Sequence, residues 1–409
     1  MISPNAGRSL IWNDPEEATL RIKTVMRTVV SLWERACSRL RARNIASKLA
    51  PTGLLASFRL RPTATVFAML LAGITQLIAA LPPATDTLAA IAAHDRAVRI
   101  RDQWIRDPFI TLQPDGWYYL TGTTREAGMD GVVGIEVWRS RDLATWEPLP
   151  RLWRFEDTSW IDLNQAVKHG AKKLLVWAPE LHRVGNRWAI VHTTNNGFAN
   201  LLRTAGPELN APLDEPMGAS FGNRHDPSIF VDVDGTPWLI WSVLSLQPLK
   251  PDLSGYAGPQ INVSPSDRKM GHEGSSIIKV GKKYVWFGTA WSTDQMRKGT
   301  YNLYYATADK LTGPYGPRRF AGRFLGHGTP FQDKQGRWWC TAFYNANKPT
   351  LTGDEAATRD LSNDAATINS QGTTLVPLSI TLVDGDVAVR ALDPHYATPG
   401  PEEVQKFAN

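Results

Sequence analysis

Cysteine is nearly absent from this chain: only Cys37 and Cys340 occur among its 409 residues. Two thiols make no disulfide framework, and they give no support to a Cys-based metal site. Long apolar runs are missing too. The longest, Val66 to Leu81, is interrupted by Thr75 and Gln76 and falls short of the roughly 20 residues of a membrane-spanning helix. The body of the chain also lacks an excess of basic charge. Much of the formal net charge of +6 comes from the first 62 residues, which hold many Arg and Lys and few acids. A basic body that attracts nucleic acid is therefore not indicated.

Aromatic residues, by contrast, are abundant. Trp, Tyr and Phe make up 10% of the chain, and 16 residues are Trp. Such a surplus suits sheets, where rings pack on pleated surfaces, and carbohydrate binding, where a flat ring stacks on a sugar face.

Residues 1 to about 100 do not belong with the rest. Residues 1–62 read as a basic leader, outside the mature fold, and 63–84 as a hydrophobic export signal: a basic flank, a short apolar core and the small residues after Pro82-Pro83. Cleavage between Ala80 and Ala93 would remove Cys37 and leave Cys340 as a small buried apolar residue. The expected location is then secreted or periplasmic. An uncleaved anchor in 66–81 is the alternative, and it is the one route to a membrane partner; a buried helix is the third reading.

From residue 104 onward a pattern recurs five times. Each copy is a strand, a Gly-containing turn and an aromatic-rich strand, as in Arg106-Asp107-Pro108-Phe109-Ile110, the turn Asp115-Gly116, and Trp117-Tyr118-Tyr119-Leu120. Later copies start near Trp177, Asp226, Glu273 and His327 and turn at Gly185, Gly235, Gly281 and Gly336. These are β-hairpin signatures. The steps between starts are about 70, 49, 47 and 54 residues, a period that matches four-stranded propeller blades. An all-β, five-bladed β-propeller over about 100–400 is expected, with Asn347 to Thr373 as a loop or short helix inserted in the last blade. Leu375 to Leu382 and Val387 to Ala391 would supply outer strands or close the ring.

Counted back from the turn glycines, the strand starts are Asp107, Asp226, Glu273 and His327, with the second copy's equivalent near Trp177 or Ala178. Innermost strands line a propeller's axis, so these side chains should face one point. Acids that only start strands would be costly to bury unpaired, yet here they recur at one structural place. Two carboxylates across a sugar, with a third tuning one of them, are the machinery of glycosidic cleavage, and crowding like charges pushes their pKa values apart.

The motifs Arg106-Asp107-Pro108-Phe109-Ile110, Trp177-Ala178-Pro179-Glu180-Leu181, His225-Asp226-Pro227-Ser228-Ile229-Phe230, His272-Glu273-Gly274 and Gly326-His327-Gly328 resemble those of glycoside hydrolase family 43 and its five-bladed relatives over about residues 104–345. The resemblance implies an inverting glycosidase of plant or algal poly- or oligosaccharides, with arabinose, xylose or galactose-type residues as leading candidates. It implies Asp107 as general base, Glu273 as general acid and Asp226 as the residue that orients the acid and raises its pKa. His327 would be the axial histidine that holds waters or a cation, often calcium, although no cofactor is required. His225 and His272, directly before two of the acids, depart from many relatives and suggest an atypical subgroup nearer family 117, in which His272 is a rival proton donor. Both are also candidate substrate contacts. Trp177 is the leading sugar platform, with Trp241 and Trp291 as further candidates, each weighed against a place in the core. His182 and His192 read as solvent-facing or hydrogen-bonded structural residues.

Two other readings compete. A non-catalytic carbohydrate-binding propeller would keep the fold and lose the acid. A retaining fructosidase would use Trp12-Asn13-Asp14-Pro15 with Arg106-Asp107-Pro108, but the first of these lies upstream of the hydrophobic segment.

Overall fold

In the computed structural model, the described residues are 85–126, 129–157, 174–195, 197–218, 222, 224–243, 245–343, 351–361 and 372–407. The basic leader, the export segment and Trp12 to Pro15 lie outside them. Among the described residues no helix is long and apolar enough to cross a membrane.

The five hairpins are the inner halves of five antiparallel blades. The first blade runs Ile105–Leu112, Tyr118–Glu126, Trp138–Ser140 and Glu147–Pro148. The second runs Val176–Val184, Arg187–Thr194, Ala199–Thr204 and Leu213–Asp214. Ser228–Val231, Pro237–Trp241, Ser245–Pro248 and Ile261–Asn262 form the third, and Glu273–Val280, Lys283–Trp291, Tyr301–Ala308 and Arg319–Gly322 the fourth. Each of the five hairpin-turn glycines has a positive φ, as the turn signatures require.

The fifth blade is assembled from both ends of the domain. Pro330–Gln332, Trp338–Ala342 and Thr373–Val383 are joined by Val98–Arg101, whose Val98 stands opposite Leu375. The second half of Thr373–Val383 pairs with Asp386–Ala391. Both expected late strands are present, and the strand that closes the ring comes from ahead of the first repeat. Of the inserted segment, the described part is a short helix, Gly353–Thr358, with a capping box between Thr352 and Glu355.

Apolar burial follows the ring. Phe109, Tyr119, Leu181 and Trp188 pack between the first and second blades, and Val184, Ala189, Ile229 and Leu239 between the second and third. Ile240, Leu246, Tyr284 and Trp286 fill the next interface. Phe287, Tyr301, Cys340 and Val376 fill the one after, and Trp339, Leu375, Val98 and Ile110 seal the fifth blade to the first. Cys340 is fully buried there, as a small apolar residue. Since each blade is covered on both faces by its neighbours, the strands read as near-continuous apolar runs rather than strict alternations.

Candidate functional site

The inner strands start with a repeated distortion. Asp107, Ala178, Asp226, Gly274 and His327 have φ values of 50°, 42°, 45°, 65° and 55°. A left-handed backbone is costly for any residue other than glycine, and here it recurs in all five blades. In the first, second and fourth blades the hairpin register also slips beside this residue. A regular strand sends successive side chains to opposite faces, and a bulge breaks that alternation. The left-handed residue, with or without a slip, lets two consecutive residues reach the axis, as Arg106 with Asp107 and His225 with Asp226 do.

This register corrects the count from the turns. Asp107, Asp226 and His327 are equivalent, as expected, but their fourth-blade counterpart is Gly274, because that hairpin is shorter. Glu273 sits one residue earlier, at the place of His225, Trp177 and Arg106 in their blades. Ala178, not Trp177, is the left-handed residue of the second blade. Gly274 is required twice over: its φ favours glycine, and a Cβ there would come within 3.0 Å of His327 Cα and Cδ2 and of Thr289 Oγ1.

The pocket encloses about 380 Å³ and is lined by Arg106, Asp107, Thr123, Trp177, His225, Asp226, Glu273, Met296, Arg297 and His327. His327 Nδ1 lies 3.0 Å from Asp107 Oδ1, 3.7 Å from Asp226 Oδ2 and 3.9 Å from Glu273 Oε1. His225 Nε2 bridges the other side, 3.0 Å from Glu273 Oε2 and 3.2 Å from Asp226 Oδ2. The Tyr301 hydroxyl donates to Glu273 Oε1. Asp226 is 6% exposed, whereas the Glu273 and His225 side chains retain 22% and 37%, so the acid and the bridging imidazole present the open wall.

Electrostatics divide the three carboxyls. Burial opposes the charge on Asp107, but the His327 imidazolium beside it, with Arg106 and the Thr123 hydroxyl, holds it well below the usual carboxylate range. Burial pushes Asp226 up to about 6, with the neighbouring charges of Glu273 and Asp107 adding to the rise that His327 and His225 oppose. Glu273 is brought down to about 2 against the effect of burial, by the His225 hydrogen bond, the two imidazolium charges and Tyr301. Burial works against the charged forms of His225 and His327, yet the carboxylates raise them to about 9 and about 10.

These shifts carry a sign for stability. Both histidines have folded pKa values above the unfolded value of about 6.5. Their contribution is therefore fully present below about pH 6.5 and is lost as pH rises through about 9 and about 10. Thermal melts across that range should show Tm falling, most steeply near the upper end; a flat Tm would contradict the ion-pair arrangement.

The remaining histidines and tryptophans fall elsewhere. His272 packs edge-on against Trp291, 4.9 Å between ring centroids, and burial lowers its pKa; it does not line the pocket. Trp291 and Trp241 are 3% and 6% exposed within core clusters, the latter with the Arg224 guanidinium 4.6 Å above its ring. Trp177 alone of the three lines the pocket. His182 is hydrogen-bonded to Glu180 at 2.8 Å, as a structural residue should be. His192 is not solvent-facing: it is fully buried against Trp153 and Phe155, and burial pushes it down to about 4 against the effect of a backbone hydrogen bond at Thr193.

Arg106, Thr123, Met296 and Arg297 line the pocket without an assigned role from sequence, and Tyr301 reaches Glu273 without one. Tyr301 opens the third strand of its blade, and Met296 and Arg297 sit on the loop before it, where no motif marks them. Thr123 stands opposite Arg106 in the first hairpin, a pairing a hairpin alignment could have shown.

One donor set bears on a cation. His225, Asp226 and Glu273 offer ligand atoms within 4.8 Å of one another, the one such set among the described residues. His327 is outside this set, its Nδ1 being committed to Asp107 at 3.0 Å.

Residues 100–373 match the family described as Glycosyl hydrolases family 43. The chain belongs to glycoside hydrolase family 43. It is 21% identical over 255 residues to an extracellular endo-alpha-(1->5)-L-arabinanase 1 of Bacillus subtilis (strain 168), covering 58% of this chain and 75% of that protein. Identity is 25% over 228 residues to a xylosidase/arabinosidase 43B of Humicola insolens, covering 51% of this chain and only 39% of that longer protein. Among solved structures, the GH43_1 enzyme from Xanthomonas citri complexed with xylose shares the fold with a TM-score of 0.53 and 16% identity, over 79% of this chain and 99% of that one. Membership of this family makes the protein a glycoside hydrolase.

Proposed function

We propose that this family 43 member is an inverting hydrolase of arabinose- or xylose-containing plant polysaccharides or their oligosaccharides. The observation that carries the proposal is the convergence of Asp107, Asp226 and Glu273, from three different blades, on one pocket with Trp177 on its wall. The names of the arabinanase and xylosidase/arabinosidase relatives support the sugar class. A binding module would gain nothing from burying three acids that only paired imidazoles keep soluble in the interior.

In this proposal Asp107, held ionised, takes a proton from the attacking water, and Glu273 gives one to the leaving oxygen. In the substrate-free pocket Glu273 accepts from His225 and Tyr301 and is ionised. Its proton must therefore arrive with substrate, when the glycosidic oxygen displaces His225 from Oε2. The His225 imidazolium, whose Nε2 lies 3.0 Å from Glu273 Oε2, is the proton source beside it.

The test is turnover by wild type on nitrophenyl arabinofuranosides, xylosides and galactosides and on arabinan and xylan, with the anomer released followed by NMR. Release of the inverted anomer is expected; retention would refute inversion, and no turnover on any glycoside would overturn the hydrolase reading. A channel calcium enters only as a neighbour held through water, so EDTA is expected to leave Tm unchanged. A clear fall on chelation would give the cation a structural part.

A further inference from the structure

Three buried threonines tie each pocket element to the next blade. Thr123, Thr193 and Thr289 stand opposite Arg106, Trp177 and Glu273 across their hairpins, and none is more than 3% exposed. Thr123 Oγ1 accepts from Ala178 N at 2.8 Å, Thr193 Oγ1 from Asp226 N at 2.9 Å and Thr289 Oγ1 from His327 N at 2.7 Å. In every case the hydroxyl belongs to one blade and the amide to the left-handed residue of the following one. The strained backbone is thus held from outside its own blade.

Thr123 does more than this. Its hydroxyl also donates to Asp107 Oδ2 at 2.8 Å. Thr193, in contrast, stands 3.5 Å from Asp226 Oδ1, at the limit of a hydrogen bond. A hydroxyl has one hydrogen and two lone pairs, and its rotor is otherwise free. With the Ala178 amide occupying a lone pair, the Thr123 proton is directed at the carboxylate. Asp107 is then held at both oxygens, by His327 at Oδ1 and Thr123 at Oδ2, which fixes the plane of the group.

We propose that Thr123 is a positioning residue for hydrolysis: braced by the second blade through Ala178, it fixes the orientation of the Asp107 carboxylate toward the attacking water. This rests on the reading of Asp107 as the base. It also gives the second blade, which contributes no acid to the pocket, a part in catalysis through its backbone.

The test compares Thr123→Val, close in shape but without the hydroxyl, with Thr204→Val. Thr204 is equally buried, accepts from Trp188 N at 2.9 Å and donates to Gly206 O at 2.7 Å, and does not line the pocket. T123V should lower kcat about 10- to 100-fold with KM within about 3-fold, the pattern of an interaction made in the transition state. Its Tm should fall no further than that of T204V, and Thr123→Ser should restore most of kcat. The proposal is overturned by kcat in T123V as high as in T204V, by a loss confined to KM, or by no recovery in T123S. Thr123→Ala stands in if T123V does not fold. Absent turnover by wild type overturns the hydrolase reading and this inference with it, whereas an active wild type with a fully active T123V overturns this inference alone.

Discussion

Replacing Asp107, the proposed base, by Asn should lower kcat/KM by about 10³- to 10⁴-fold on every substrate, whatever its leaving group. The base acts on water, and the difficulty of that step does not depend on the departing sugar or phenol. Glu273→Gln should behave differently. Acid assistance matters most for a poor leaving group, so E273Q should lose about 10³-fold on an oligosaccharide or alkyl glycoside and far less on a dinitrophenyl glycoside, whose phenolate departs unaided. The comparison of the two variants on the two substrate types separates the roles. If E273Q loses as much on the dinitrophenyl glycoside as on the oligosaccharide, Glu273 is not the proton donor, and Asp226, with its pKa pushed up to about 6, becomes the group to test next.

Gly326→Ala should be strongly destabilising. Gly326 occupies the fifth-blade place that Arg106, Trp177, His225 and Glu273 hold in theirs, and it is glycine because the Tyr301 ring lies where a Cβ would go. Tyr301 is fully buried and packs 4.6 Å from Trp291, so it cannot yield without disturbing the interface between the fourth and fifth blades. Overpacking of this kind costs about 3 kcal/mol or more. Moving the ring also withdraws the hydroxyl from Glu273. A lowered Tm and a fall in turnover on oligosaccharide should therefore appear together. Gly336→Ala provides the contrast: nothing lies within 4 Å of a Cβ there, so the cost is backbone strain alone, about 1 kcal/mol. Equal Tm values for the two variants would contradict the packing argument.

The blades could be read from sequence because their signals are local. A Gly turn nine residues after Asp107, Asp226 and His327 fixes a hairpin whatever lies around it. The convergence of the acids followed from repetition of that unit. What could not be read depends on contacts between blades. Glu273 stands eight residues before Gly281 instead of nine, but that spacing alone does not show that Gly274 takes the left-handed position. Tyr301 approaches Glu273 from the third strand of the same blade, and its partner glycine lies in the next. Trp177 opens an inner strand while Trp291 ends a second strand, and the packing of Trp291 against Tyr301 puts it in the core while Trp177 lines the pocket. His192 illustrates the same limit: a histidine in an aromatic strand carries no mark that both of its nitrogens will be enclosed by Trp153 and Phe155.

The pairing of Val98 with Leu375 makes the order of synthesis matter. Four blades can form as they leave the ribosome, each from its own segment. The fifth cannot be finished until its late strands meet one made before any blade existed, and such distant contacts form slowly. Until then Val98–Arg101 must be kept from pairing elsewhere, and both flanks of the gap expose apolar faces that later meet across Trp339, Leu375 and Ile110. Any holding factor that delays folding would therefore find its target in the unsealed seam, and a cut that removes Val98–Arg101 should leave four sound blades around an open ring.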